Sequence, residues 1–377
     1  MSQTTADTTT LAGRVAPASA QDRAIKRQRV LDILDIRGQD SVLLTTNTAL
    51  TWYLDGSRVH ISLAGDPVAA LLVDRDGDHL VTFNNEAGRI AAEELPPGVT
   101  LHSVPWYGNL HEAAAAVGSA GTRTVGKSAA PLAEADVAAE LRAARQQLLP
   151  AESARYARLS ADVAVIMTDV LSSARPETTE FELVSALAAR VVAAGAEPLV
   201  LLCNGSSRSQ FRHPLATHSP LGRRAMAVVC ARRDGLVANI TRWVRFDGST
   251  PEERDAEARI AAVEADIFGA TVPGAGLDRI FAEIKAAYAR HGFGSEQWEQ
   301  HHQGGPAGYA GRDPRVTSGA TDTVVLNQAF TWNPSAPGVK IEDTVQLTTS
   351  GLQVLTVDSR WPVATINGLP RPATLQL

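Results

Sequence analysis

His301-His302-Gln303-Gly304-Gly305-Pro306-Ala307-Gly308-Tyr309 is the run whose surroundings decide the fold. Paired imidazoles can move protons near neutral pH. Glycines let a backbone come close to a ligand or to another chain, although Gly-rich stretches such as 303–311 usually only turn. Upstream, periodic apolar residues predict two helices over 251–268 and 277–291, the first opened by Ser249-Thr250-Pro251. Before them, 198–203, 225–230 and 236–246 read as strands, the last two joined by a turn at Arg233-Asp234-Gly235. Downstream, β segments are expected at 323–326, 339–348, 352–357 and near Ala364.

The first half has a different rhythm. Residues 24–36 carry helical apolar spacing, and short β-like segments follow at 41–45, 68–73, 79–83 and 100–103. Helical patterns at 110–117 and 131–148 alternate with them, which predicts an α/β domain with mixed strands. At Leu148-Leu149-Pro150-Ala151-Glu152 a proline stops one helix and an acidic residue opens the next, expected over 153–174. Thr179 with Glu182 forms a capping box for a further helix ending at Gly195. The expected division is a disordered leader over 1–20, an N-terminal domain over 21–150 and a catalytic domain over 151–377, of α/β (α+β) class.

Composition narrows the function classes. The chain of 377 residues is 44% hydrophobic and 20% charged, with a formal net charge of −6. That balance gives no support for nucleic-acid binding, and the basic knot at Arg223-Arg224 and Arg232-Arg233 sits among apolar strand residues. No apolar run reaches the roughly 18 residues a membrane span needs. The Ser-, Thr- and Ala-rich start has no apolar core of the kind a secretory signal requires. Cys203 and Cys230 each end an apolar run and read as buried free thiols, so a cytoplasmic protein is expected.

The order of segments in the second half resembles the creatinase–aminopeptidase P family (peptidase M24) and its pita-bread fold. The pieces are Arg212-His213-Pro214, Asn239-Ile240-Thr241-Arg242, the 301–309 run, Trp332-Asn333-Pro334 and Lys340-Ile341-Glu342-Asp343. In the first half only Tyr53-Leu54-Asp55-Gly56 adds to the likeness. Metallopeptidases of this family hold two divalent ions through two Asp, one His and two Glu, and the ions share an activated water. Carried onto this chain, those positions fall on Cys230, Asn239, Gly305, Asn333 and Glu342. Only Glu342 is an unaltered ligand, so the resemblance implies no metal and no other cofactor.

Creatinase shows that this fold can hydrolyse without metal, and by resemblance His213 is the general acid and base, with His218 as a competitor. Glu342 is read as gripping a polar substrate group or pairing with Arg242 or Lys340. The resemblance makes His301 a substrate contact; its neighbour His302 is kept among the substrate-binding candidates, although it is expected to point the other way. Asn239 and Asn333 suit a neutral hydrogen-bonding pocket. Arg242, Arg312 and Trp332 complete the substrate-binding candidates, though core packing is the commoner fate of a single Trp. Arg58, beside His60, would meet a substrate carboxylate across a homodimer. The expectation is a hydrolase cutting a C–N bond of a small guanidino, ureido or amide substrate. Kept beside it are a non-catalytic binding protein, a Xaa-Pro aminopeptidase-like peptidase, and a lyase or isomerase using the same His.

Overall fold

The computed structural model describes residues 19–117 and 130–377. The expected leader lies outside the described residues except for its last two. Of these, Ser19 caps the first helix, Ala20–Arg37, by accepting from the Asp22 N–H.

The first sheet comprises β1 (Ser41–Leu44), β2 (Ala69–Asp74), β3 (Asp78–Phe83), β4 (Val99–Val104) and β5 (Leu132–Ala133), in the order β4-β3-β2-β1-β5. β2 is antiparallel to β1 and β3, while β4 and β5 join in parallel. The helix expected over 131–148 is therefore shorter, at Ala138–Gln146. Glu134 explains the difference. Its carboxylate accepts from the Thr45 and Thr46 N–H groups at 2.7 and 2.9 Å, holding this segment against the end of β1.

In the second half β6 (Glu197–Asn204), β7 (Arg224–Arg233) and β8 (Leu236–Arg245) form an antiparallel meander, with Leu375–Gln376 added in parallel to β8. The β7–β8 turn places Asp234 and Gly235 at φ 50° and 77°, the left-handed pair a two-residue hairpin requires. A second sheet runs β14-β13-β10-β9, built from β9 (Gly304–Ala307), β10 (Ala329–Trp332), β13 (Asp343–Thr348) and β14 (Gly351–Val354). Between them β11 (Ser335–Ala336) pairs with β12 (Val339–Lys340). The two sheets meet where Thr241 bridges to Glu342 and the Asn239 N–H donates to Thr344 Oγ1 at 2.8 Å.

Three expectations need correction. Part of the Gly-rich run is a strand, because Gly304 lies so close to β10 that a Cβ there would sit 2.1 Å from the Thr331 carbonyl oxygen. The strand expected over 339–348 is split at Ile341–Glu342 into β12 and β13. Over 323–326 only Thr323 makes an isolated bridge, to Gly276.

One apolar core spans both halves, joining Val30, Leu50 and Val73 to Tyr156, Val229 and Ile240. The helices Pro251–Ala270 and Leu277–Arg290 close a second core against β10, β12 and β13. A buried charge cluster crosses the same boundary as the first core. Lys26 reaches Asp55 and Glu152 at 2.7 Å each, Arg155 reaches Asp55 at 2.7 Å, and the Tyr309 hydroxyl donates to Glu152 at 2.7 Å. No helix among the described residues is long and apolar enough to cross a membrane.

Candidate active site

Three imidazoles converge near the junction of the two sheets. His301 Nε2 and His213 Nε2 are 3.0 Å apart, and His302 stacks on His301 with ring centroids 4.4 Å apart. The expectation that His302 points away is therefore corrected. Residues 301–303 precede β9, so strand alternation does not separate the neighbours.

The loop carrying His213 is pinned by a residue that no motif singles out. Glu180, fully buried, accepts from the Gly205 N–H at 2.8 Å and the Thr217 N–H at 2.9 Å, and pairs with Arg208. On the segment carrying His301 and His302, Gln303 donates to the carbonyls of Trp298 and His301 and accepts from the Tyr288 hydroxyl. His218, the competing shuttle, is exposed against the Phe181 ring and outside the cluster.

Glu342 is 2% exposed and its carboxylate is fully engaged. It accepts from Arg312 Nη2 at 2.7 Å, Lys340 Nζ at 2.8 Å and Thr241 Oγ1 at 2.7 Å. Burial alone would raise its pKa. Lys340 and Arg312 overcome that and hold it well below the usual carboxylate range. Lys340 and Glu342 share a face because they are two residues apart in extended chain, while Ile341 turns into the core.

The same cations act on the imidazoles. Burial, then Lys340 and the two neighbouring rings, push His301 down to about 2. Burial, then Arg312 and Arg315, push His302 down to about 3. His213 is lowered from 6.5 by burial, then Lys340, with Arg315 adding and Glu342 opposing. All three rings are neutral at neutral pH, so each keeps one lone pair for a proton.

The two-metal ligand set does not fit these residues. Gly305 has φ +144°, and a Cβ there would lie 2.5 Å from the Pro314 carbonyl oxygen, so this backbone has no room for an imidazole. Burial, then Glu342, push the Cys230 thiol up to about 12, which keeps it protonated. Asn239 spends its amide N–H groups on the Val237 carbonyl at 3.2 Å and Thr331 Oγ1 at 3.3 Å. Asn333 is buried, with Oδ1 unpartnered. The ring nitrogens of His213, His301 and His302 lie within 4.8 Å of one another, a spacing one transition-metal ion could use. A dication there would face the charges of Lys340, Arg312 and Arg315, which oppose its entry, against the attraction of Glu342.

Other expected site residues lie elsewhere. Arg242 faces away from Glu342 and binds Asp343 at 2.8 Å and the Thr356 carbonyl at 2.8 Å, because its neighbour Thr241 takes the site face of β8. Trp332 is fully buried and stacks on Phe330, so it packs the core and does not wall the pocket. Arg58 is held by Glu93 and Glu94 of the first half. His60 contacts Glu197 at 2.6 Å and so ties the two halves together.

Residues 154–349 match metallopeptidase family M24. The fold is similar to a prolidase from Pyrococcus horikoshii OT3, at TM-score 0.71 and 17% identity over 89% of this chain and 99% of that one. It is similar too to the dipeptidase PepE from Mycobacterium ulcerans, at TM-score 0.73 and 16% identity over 96% and 100%. A Xaa-Pro dipeptidase from Bacillus anthracis follows at TM-score 0.70 and 15% identity over 94% and 100%. No curated protein matches the chain in sequence.

Proposed function

The chain belongs to metallopeptidase family M24, and from that premise we propose that it is a hydrolase of a C–N bond in a small polar substrate that works without the family's two metal ions. The observation that carries this reading is the Arg312–Glu342–Lys340 cluster beside the His213–His301 contact. In this reading, these fixed side-chain cations supply the positive charge that the family draws from its metal ions.

In this reading His213 takes a proton from water as the water oxygen bonds to the substrate's carbonyl carbon. The carbonyl electron pair moves to oxygen, where the positive charge of Lys340, Arg312 and Arg315 stabilises it. When that pair returns, the C–N bond breaks and the proton on His213 passes to the leaving nitrogen. His301, kept neutral by its surroundings, holds the His213 ring through their 3.0 Å contact. The working unit in this reading is a homodimer, with the division at residue 150 separating a substrate-covering domain from the catalytic one.

The test is turnover of an amide and ureido panel by full-length protein, alone and with His213→Ala. Hydrolysis by the wild type that survives chelation and disappears in the variant supports the reading. Equal turnover by both proteins contradicts it. A Xaa-Pro dipeptidase, the activity for which one fold neighbour is named, is the second reading. It predicts cleavage of Xaa-Pro dipeptides that stops on chelation.

A further inference from the structure

The segment that carries Lys340 and Glu342 has a second face. Val339 and Ile341 alternate with those two residues along the chain, so they turn away from the imidazoles and pack into the core closed by the helix Pro251–Ala270. On that side lies a cavity of about 250 Å³. A hairpin of β15 (Val363–Ile366) and β16 (Leu369–Pro372), which pairs with no other strand among the described residues, forms part of its wall. The wall is mostly apolar, with Ala258 and Ala261 from the helix, Val339 and Ile341 from the strand side, and Ala364 and Ile366 from the hairpin. Alanines at 258, 261 and 364 leave the space that longer side chains would fill.

The charged groups of the same wall fall into two kinds. Most are already matched. Arg242 and Arg371 bind Asp343, Arg371 also binds Glu264, and Lys340 binds Glu342. Glu257, the one carboxylate of the wall, accepts through Oε1 alone from Arg224 at 2.9 Å, Arg245 at 2.7 Å and the Thr374 hydroxyl at 2.8 Å. Arg254 differs. It is exposed yet lines the cavity, so it stands at the rim, and its Nη1 donates to the carbonyl and hydroxyl of Ser249. Among the described residues its guanidinium forms no ion pair. Glu252, whose titration it influences, is itself exposed and is not bonded to it.

An apolar chamber with an uncommitted guanidinium at its mouth suits a molecule with a greasy body and one anionic end. Size sets the length of the body. An apolar cavity of roughly 150 Å³ holds benzene, so this one admits a chain of roughly eight carbons. We infer that the cavity binds a straight-chain aliphatic monocarboxylate of medium length, with its alkyl chain between helix and hairpin and its carboxylate on Arg254. The inference concerns binding at the far side of the strand from the imidazoles and does not rest on the hydrolase reading.

Calorimetric titration of the full-length protein with butanoate, hexanoate, octanoate, dodecanoate and 1-octanol tests it. One octanoate per chain is expected. Each added methylene up to octanoate should tighten binding by about fourfold, and the gain should stop there, because the cavity is then full. Octanoate should bind roughly threefold to fivefold more tightly than 1-octanol, and added salt should erase that margin. Arg254→Gln should erase it too while leaving 1-octanol unchanged. Ala261→Phe, which fills the cavity, should abolish octanoate binding. Arg254 is exposed, so its variant folds and keeps the test decisive if Ala261→Phe does not. No saturable heat from octanoate, affinity that keeps climbing to dodecanoate as it would on an open surface, 1-octanol binding as tightly as octanoate, or an Arg254→Gln protein with undiminished octanoate affinity each overturns the inference.

Discussion

Two buried charge clusters in this molecule look alike and differ in their sums. Between the halves, Lys26 and Arg155 are matched by Asp55 and Glu152; the Tyr309 hydroxyl donates to the Glu152 oxygen that Lys26 also binds, and the Leu149 N–H donates to the other. At the site, Lys340 and Arg312 share the single carboxylate of Glu342, and Arg315 and Arg212 stand by without partners among the described residues. The first cluster closes on itself and fixes one half against the other. The first gives its two cations two carboxylates, whereas the second shares one carboxylate between two cations.

The comparison can be broken in several places. The largest effect is expected at His213→Ala, which should cut turnover by about 10²- to 10⁴-fold with little change in melting temperature. A variant that melts early and keeps its turnover per folded molecule would break the assignment. Next is Lys26→Met, which leaves Asp55 and Glu152 short of a cation and should destabilise the fold by about 3–5 kcal/mol in urea unfolding. Anion binding should be unchanged in the fraction that stays folded. If Lys26→Met proves neutral, the first cluster is not the lock described here.

A smaller effect concerns pH. Catalysis needs neutral His213, so activity is present above its pKa and lost as pH falls through it. Burial, Lys340 and Arg315 lower that pKa, while Glu342 opposes them, so the acid limb of kcat/KM should lie below 6.5. Arg315→Gln removes one lowering charge and should move that limb to higher pH. A limb at 6.5 or above in the wild type would count against the electrostatics described.

Much of the fold could be read from local chemistry. The two-residue turn at Asp234-Gly235 and the capping boxes at Thr179–Glu182 and Thr250–Glu253 form as residue type dictates. His213 and His301 could be named from the order of segments. Lys340 could be named as a partner of Glu342, but its second cation, Arg312, could not, since it lies thirty positions away in a loop beyond Gly304 and Gly305. The wrong expectation for Arg242 was avoidable. Period-two alternation places Thr241 and Arg242 on opposite faces of β8, so only one of them could reach the site. Lys340 was recognised only as a possible partner of Glu342, because a sequence does not reveal that a lysine is buried among imidazoles. That Arg212 and Arg315 have no carboxylate partner among the described residues could not be read either. An unpaired arginine can be seen only once every carboxylate has been placed.

The central claim is that side-chain cations do the work of the two metal ions. Its most direct test is metal content measured by plasma mass spectrometry on protein purified without chelator, with activity assayed on the same sample before and after exhaustive chelation. The account predicts well under one manganese, cobalt or zinc per chain and unchanged activity after chelation. Two tightly bound ions per chain, with activity lost on their removal and restored on their return, would contradict it.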